Sequence, residues 1–225
     1  MRPTRLTGAL VALAALLGTA LLVAPGSDAD PAGPARAASS PAAKAGTVQT
    51  VVRPVTTDGR AAEGWKVHRE TDLKVSCSEA AAAAVDDGIG ACYPTVAYTP
   101  SCWKSVNRTL LCLRDPLEQR LVRVKRQGPF GAYVAPAKAR PQALVLRNGD
   151  RCNMRFGGAW SAPASHPQWV GFYFCDHGTV YAPGSSRDGI IDGDQQWRVR
   201  IWVEGTEGKI VQRKVAEAFY VGTAD

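Results

Sequence analysis

Six cysteines constrain the fold of this chain more than any other feature. Their number is even, and all lie within one stretch of the sequence: Cys77, Cys92, Cys102, Cys112, Cys152 and Cys175. In an oxidising compartment such a set forms disulfides, and six cysteines allow about 15 different pairings. The short loops between neighbours favour Cys77 with Cys92, Cys102 with Cys112, and Cys152 with Cys175. Zinc is the alternative, but no CxxC spacing supports it.

The first residues predict export, which supplies that oxidising compartment. Arg2 and Arg5 precede an apolar run over residues 6–23, the layout of a signal peptide. We assign residues 1–29 to this peptide, with cleavage after Ala29 or after Ala37. The mature protein is then expected to be secreted or associated with the cell envelope, with no stable membrane anchor after cleavage.

Composition divides the remainder of the chain. Residues 30–59 are rich in Pro, Ala, Ser and Thr with little to bury, which indicates a flexible Pro/Ala-rich linker. Residues 60–225 are enough for a single domain with a substantial core, stiffened by the disulfides.

Within that domain the apolar pattern mostly has the period of two that a β-strand requires. Residues 121–125 alternate apolar and basic side chains, and residues 197–203 carry apolar residues at every odd position. Asn148-Gly149 is a strong signal for a hairpin turn after residues 143–146. Further strands are predicted over residues 152–156, 169–174, 179–182 and 210–221.

One helix is predicted against this background. Ser76 and Glu79 have the spacing of a capping box, five alanines follow, and Gly88 would end the helix after Asp87. The expected fold is therefore mainly β: a single compact antiparallel β domain, sandwich or barrel-like, with one short helix at 77–87 and three disulfides.

Short motifs occur in order along residues 70–225: Cys77-Ser78, Ala84-Val85-Asp86, Cys92-Tyr93-Pro94, Cys102-Trp103-Lys104-Ser105, Leu111-Cys112-Leu113-Arg114-Asp115-Pro116, Asn148-Gly149-Asp150 with Cys152, Gly157-Gly158-Ala159-Trp160, Tyr173-Phe174-Cys175-Asp176-His177, Trp197 and Phe219-Tyr220-Val221-Gly222-Thr223-Ala224. Together they resemble a group of small secreted disulfide-containing proteins of mycobacteria and related actinobacteria, a group with no assigned function. The resemblance implies export and paired cysteines, and it transfers no catalytic residue.

Positive charge is concentrated in the middle of the chain. Residues 104–155 contain twelve Lys or Arg against three Asp or Glu. On an exported protein this favours an anionic envelope polymer or another secreted protein as partner, and not nucleic acid. Arg123 and Lys125, on the alternating strand, are the basic candidates, although an exposed strand face can carry such charges without a partner.

Aromatic and histidine side chains supply the other binding candidates. Residues 151–178 hold two tryptophans and two of the three histidines, and aromatic rings stack on sugars or pack against proteins. The candidates are Trp160, His166, Trp169, Tyr173 and His177. If Trp169 and Tyr173 face inward they are core residues instead.

No complete catalytic motif accompanies them. The three histidines and Ser161, Ser165, Ser185 and Ser186 lack a GxSxG nucleophile turn. Asp176, Asp188, Asp192, Asp194 and Glu204 could supply a pair of carboxylates, but sequence spacing does not give their separation. Residues 188–194 lack the EF-hand calcium pattern. No cofactor, metal ligand or catalytic residue is assigned.

Three functions are consistent with these features. The leading hypothesis is an exported non-enzymatic protein that binds an envelope component or a protein partner. The second is an inhibitor of secreted proteases, because the segment between Cys92 and Cys102 could form a rigid loop. The third is a hydrolase that acts on the envelope.

Overall fold

The computed structural model describes residues 46–93, 99–156, 162–203 and 208–225, and the regular structure within these residues consists of β-strands. These residues belong to one compact unit, Ala42–Asp225. Its strands are β1 Val48–Val52, β2 Lys66–Ala80, β3 Ile89–Tyr93, β4 Thr99–Lys104, β5 Thr109–Leu113, β6 Arg120–Arg126, β7 Ala143–Leu146, β8 Arg151–Met154, β9 Trp169–Cys175, β10 Gly178–Pro183, β11 Ile190–Ile191, β12 Arg198–Trp202 and β13 Ile210–Val221. Among the described residues no helix could span a membrane.

Strands β2 to β6 form the first of two closed barrels. Consecutive strands pair antiparallel, and β2 then pairs with β6 to close the ring. That last pairing is parallel, because five strands in alternating directions leave the first and last pointing the same way. The 15-residue β2 serves both neighbours, with a register shift between Glu70 and Lys74.

The second barrel is made from the C-terminal half of the chain. β7, β8, β9, β10, β12 and β13 pair in that order, and β13 closes the ring by pairing with both β12 and β7. The short β11 extends the sheet beside β12, and β1 runs parallel to β13 from Val48 opposite Glu217 to Val52 opposite Val221. β1 thus lies beside β13, at the edge of the second barrel's sheet.

The barrels are joined by a common core. Leu111, Leu113 and Leu121 of the first barrel are fully buried in one cluster with Leu144 and Ile201 of the second. The opposite face of the first barrel forms a smaller cluster that includes Cys92, Cys102 and Cys112. Successive side chains of a strand point to opposite faces. Alternate residues of the first barrel's strands therefore lie in the smaller cluster, and the residues between them lie in the shared core.

The three predicted disulfides are confirmed. Each joins two residues that lie directly opposite each other on adjacent antiparallel strands: Cys77 and Cys92, Cys102 and Cys112, and Cys152 and Cys175. The described residues contain no free cysteine. These bridges point to an oxidising environment.

The predicted helix at 77–87 is wrong. Cys77 and Glu79 belong to β2 and pair with β3, and the Cys77–Cys92 disulfide fixes this extended pairing. Of the alanines that follow, Ala81, Ala83 and Ala84 are buried, and Ala84 makes a β-bridge to Val221. Long-range pairing and burial therefore outweigh the local helix propensity of alanine. The mainly β class with three disulfides is confirmed; the strands form two closed barrels, and two of the strand pairings, β1 with β13 and β2 with β6, are parallel.

The predicted linker at 30–59 does not hold for its last part. Residues 48–52 form β1, and Val55 is completely buried in the shared core. Val48, Val51 and Val52 are β-branched, which suits a pleated strand, and β13 supplies the partner that the sequence does not show locally. Residues 1–45, with the predicted signal peptide and cleavage sites, lie outside the described residues.

Candidate functional site

The structure separates the seven predicted binding residues into different places. Trp160 lies outside the described residues. Tyr173 is in the core, His166 and Trp169 form a surface pair before and at the start of β9, and His177 lies in the turn after β9. Arg123 and Lys125 line a groove on the first barrel. The predicted residues therefore do not converge on one site.

Tyr173 is a packing residue. Its side chain is 1% exposed, and its hydroxyl donates a hydrogen bond to the carbonyl oxygen of Pro141 at 2.9 Å. β9 contains a bulge: Val180 pairs with Tyr173 but Tyr181 pairs with Gly171, so Phe172 is an extra residue. The bulge breaks the expected alternation. Tyr173 therefore points inward, although Trp169 stays partly exposed at the surface.

Trp169 and His166 form a small aromatic surface. Their ring centroids lie 3.9 Å apart, and the Arg200 guanidinium carbon is 5.6 Å from the Trp169 ring centroid. Ser165 Oγ lies 2.9 Å from His166 Nδ1. The Trp169 ring thus already contacts the His166 ring and lies near the Arg200 guanidinium. These contacts stabilise the ring in place without a bound ligand.

His177 forms a hydrogen-bonded ion pair with Asp150. His177 Nδ1 lies 2.7 Å from Asp150 Oδ1; the histidine side chain is 77% exposed, whereas the aspartate is largely buried. The hydrogen bond and charge of Asp150 raise the pKa of His177, with a smaller contribution from Asp176. Burial alone would raise the pKa of Asp150, but hydrogen bonds from His177 and Asn148, with the charges of His177 and Arg213, lower it below its usual value.

Replacing the aspartate should therefore change the titration of His177. We expect the His177 imidazole to titrate above 6.5 in the native protein and to return toward 6.5 in Asp150→Asn, because the carboxylate favours the protonated ring. The interaction of charged His177 stabilises the fold below pH 6.5, and this is lost as pH rises through the raised pKa. The lowered pKa of Asp150 stabilises the fold above pH 3.8, and this is lost as pH falls through it.

Nuclear magnetic resonance titration of the imidazole protons measures this effect directly. His166 serves as the internal control, since it contacts neither Asp150 nor Asp176 in the hydrogen bonds of the structure. An unchanged His177 pKa in Asp150→Asn would contradict the assignment of the pair.

The two histidine pairs do not combine into a catalytic triad. A serine hydrolase needs a hydroxyl, a base and a carboxylate in one chain of contacts. His166 has a serine partner but no carboxylate, and His177 has a carboxylate but no hydroxyl among the described residues. They lie beyond opposite ends of the seven-residue β9, which at about 3.3 Å per residue spans roughly 20 Å. Neither pair can complete the other, and the hydrolase hypothesis stays a prediction.

The basic groove on the first barrel gathers cations from separate strands. We define it by the lining residues Arg69, Glu70, Asn107, Thr109, Arg123 and Lys125, which surround a cavity of about 340 Å³. Parallel pairing of β2 with β6 sets Arg69 directly beside Arg123, and β5 sets Thr109 beside Lys125. The β4–β5 turn forms one wall, and its residues Asn107 and Arg108 have φ of 53° and 55°. Both are left-handed, as in the tight turns that fit strand twist.

Arg123 is held in position by hydroxyl groups. Its Nη1 donates hydrogen bonds to Ser105 Oγ at 2.9 Å and to Thr109 Oγ1 at 3.0 Å. A guanidinium has five donors, so most remain after these two contacts. Among the described residues no carboxylate forms a salt bridge with Arg123. The groove therefore presents a positioned cation to any anion that enters it.

The one acidic side chain of the groove is already neutralised. Glu70 accepts two hydrogen bonds from Arg114, Nη1 to Oε1 at 2.8 Å and Nη2 to Oε2 at 2.7 Å. These bonds lower the pKa of Glu70 against a smaller opposing effect of burial. The charge of Glu70 is thus compensated from outside the groove, which leaves Arg69, Arg123 and Lys125 to set its potential.

Sequence reasoning found two of these cations and missed the third. Arg123 and Lys125 appear in the alternation of β6, whereas Arg69 lies on β2, 54 residues earlier, and reaches the groove only through the parallel closure of the barrel. Its signal was the polar stretch at residues 68–70, which no local pattern connects to β6.

A larger cavity of about 690 Å³ offers fewer free groups. It is lined by Arg53, Asp86, Asp87, Lys104 and Thr223, among others. Arg53 pairs with Asp86, which also accepts the backbone N–H of Thr223, and Asp87 accepts the N–H of Ala135. These contacts serve to fasten neighbouring segments to each other.

The acidic residues and the inhibitory loop considered in the sequence analysis do not form a further site among the described residues. Asp188 pairs with Arg187 and accepts the backbone N–H of Ile190, which makes it a turn residue. In the described residues no group of three or more His, Cys, Asp or Glu side chains is arranged to hold a metal ion. Residues 94–98 of the proposed inhibitory loop, and residues 157–161, lie outside the described part. The inhibitor hypothesis therefore stays a prediction.

Comparison with protein-family models, with curated proteins and with solved structures finds no match for this chain. What the protein does must be inferred from its own side chains.

Proposed function

We propose that this is an exported, non-enzymatic protein that binds an anionic polymer of the cell envelope in the basic groove of its first barrel. The observation that carries the proposal is the position of Arg123. Its guanidinium is held by two hydroxyls and forms no salt bridge in the described residues, so an anionic group can take its remaining donors.

The neighbouring cations favour a polymer over a single small anion. Arg69 and Lys125 flank Arg123 on the same barrel surface, and both are exposed. Repeated phosphate or carboxylate groups can contact several of them in turn, and each charge-assisted hydrogen bond adds to affinity and to geometric selectivity. The wider excess of Lys and Arg over residues 104–155 raises the local concentration of such a polymer.

Export is part of the proposal and rests on independent observations. The disulfides require an oxidising compartment to persist. The basic and apolar order of the first residues is typical of a signal peptide.

A double substitution in the groove tests the binding function. We expect Arg123→Ala with Lys125→Ala to weaken binding of inorganic polyphosphate at least about tenfold, because two charged donors are lost. Polyglutamate as a second probe distinguishes phosphate from carboxylate recognition. Titration calorimetry at low and high salt measures both, and the native affinity should fall as salt rises.

A control of equal charge keeps the test specific. Arg198 and Lys214 face each other across β12 and β13, are exposed and lie on the second barrel. Arg198→Ala with Lys214→Ala removes the same charge and should change affinity less than about twofold. Equal losses in the two double variants would show nonspecific attraction and would overturn the groove assignment. Arg123→Lys should give an intermediate loss, since it keeps the charge but not the planar fork.

A further inference from the structure

A second cleft, on the other barrel, has different chemistry from the basic groove. It encloses about 410 Å³, within the range of roughly 300–1,000 Å³ typical of small-molecule sites. Val51 of β1 and Tyr220 of β13 line it together with Ile190, Pro141 and Trp197. Its walls are therefore aliphatic and aromatic, and β1 is required to build it.

Two ring side chains in this cleft carry donors that have no hydrogen-bond partner among the described residues. Tyr220 is only 9% exposed, yet its hydroxyl makes no hydrogen bond within the described part of the chain. The indole Nε1–H of Trp197 also makes none there. Neither atom is fully buried, so both are open to solvent from the cleft that they line. These two donors are therefore available to hydrogen-bond with the oxygen atoms of a ligand that enters the cleft.

The tyrosine remains a donor over the whole physiological range. Burial, with the negative charges of Asp188 and Asp192, raises the pKa of Tyr220 to about 12, and the charge of Arg187 only partly opposes this. The phenol is therefore protonated near neutral pH.

The rim of the cleft is charged but balanced. Arg187 Nη2 lies 3.0 Å from Asp188 Oδ2, and Lys138 Nζ lies 3.9 Å from Asp192 Oδ2. The Arg187 side chain also donates to the Lys138 carbonyl at 2.7 Å. Two cations and two anions cancel, so the site has no net attraction for an ionic ligand, although each group can still exchange hydrogen bonds with hydroxyls.

We propose that this cleft binds a neutral saccharide. A pyranose ring has an apolar C–H face that packs on aromatic and aliphatic side chains, and its rim of hydroxyls can accept from Tyr220 and Trp197 and bond to the paired charges. The site is separate from the groove of the proposed function and goes beyond it: the two barrels would contact different components of the same environment.

Direct titration with sugars tests the inference. The probes are methyl glucoside, methyl mannoside and N-acetylglucosamine up to about 20 mM, a range that detects weak binding, and dextran and mannan as neutral polymers. The chain has six tryptophans, and the indole N–H resonance of Trp197 is identified by its loss in Trp197→Phe. We expect at least one probe to shift this resonance and leave that of Trp169 unchanged. Response to the simple glycosides assigns a free sugar, and response to polymers alone assigns a glycan chain.

Conservative variants connect the shift to the two donors. Tyr220→Phe keeps the ring and should weaken binding roughly two- to tenfold through loss of one hydrogen bond. Tyr133→Phe, outside the cleft, should bind as the native protein does, and so should Arg123→Ala with Lys125→Ala. The inference is overturned if no probe moves the Trp197 resonance, or if Tyr220→Phe retains native affinity. The basic groove is tested with polyanions and this cleft with neutral sugars. A failure to bind sugars therefore does not affect the test of polyanion binding in the groove.

Discussion

Gln142→Ala should lower the free energy of unfolding by about 4 kcal/mol, through unpaired polar groups and a new cavity. Gln142 is completely buried just before β7. Its backbone is bound to the second barrel by bonds with Phe219 and Met154, whereas its side chain reaches the first. Ser101 Oγ donates to Gln142 Oε1 at 2.6 Å, and Nε2 donates to the carbonyls of Leu113 at 3.0 Å and Arg114 at 3.2 Å. One amide thus joins the two barrels inside the shared core.

Urea unfolding with matched variants measures this coupling. Gln142→Met keeps the volume but strands the Ser101 hydroxyl, so adding Ser101→Ala should recover part of its loss. Gln212→Ala, on the exposed face of β13, should change stability by less than about 0.5 kcal/mol. If Gln142→Ala lost less than about 1 kcal/mol, the side chain would not be a significant link between the barrels.

Strands whose signals are local could be predicted from the sequence. The Asn148-Gly149 turn and its hairpin occur as expected, with Gly149 at φ 92°, and β13 spans the predicted residues 210–221. Neighbouring cysteines also gave the correct disulfides, because each pair belongs to two strands adjacent in both sequence and space. Alternation and turn chemistry act over a few residues, and so they can be read without the fold.

Features that depend on distant partners could not be predicted. β1 is a strand because β13 pairs with it in parallel register, with Val48 opposite Glu217, which lies 169 residues later in the chain. The alanine-rich segment 80–84 has the composition of a helix, but Ala80 pairs with Gly90 in the sheet and the chain then makes one turn that buries Ala81, Ala83 and Ala84. Tertiary context overrides weak local propensity in both cases.

The same distinction applies to the candidate sites. Arg123 and Lys125 were visible in one strand, but Arg69 reaches them only by barrel closure, and Thr109, with the neighbouring Ser105, through the pairing of β5 with β6. The saccharide cleft was not predicted, because one wall is β1, which the sequence indicated as linker, and its donors belong to residues that look like core aromatics. A site assembled from the ends of the chain requires the fold before it can be recognised.

Removing one disulfide should cost about 3 kcal/mol, a large part of the roughly 5–15 kcal/mol that stabilises a domain. Cross-linking restricts the unfolded chain, and the effect grows slowly with the length of the closed loop. The sequence separations are 23 residues for Cys152–Cys175, 15 for Cys77–Cys92 and 10 for Cys102–Cys112. On loop entropy alone, the losses are about 3.4, 3.0 and 2.7 kcal/mol in that order.

Paired cysteine-to-alanine variants test this ranking without creating a free thiol. All the cysteines except Cys77 are fully or almost fully buried. Replacing Cys102–Cys112 or Cys152–Cys175 by alanines therefore removes a similar buried volume. Urea unfolding should place the Cys152–Cys175 variant below the Cys102–Cys112 variant in stability. The latter bridge joins the strands that lead to Ser105 and Thr109, which position Arg123. Loss of the Cys102–Cys112 bridge should therefore also weaken polyphosphate binding, whereas loss of Cys152–Cys175 should not. The opposite pattern would show that the β4–β5 hairpin does not support the groove.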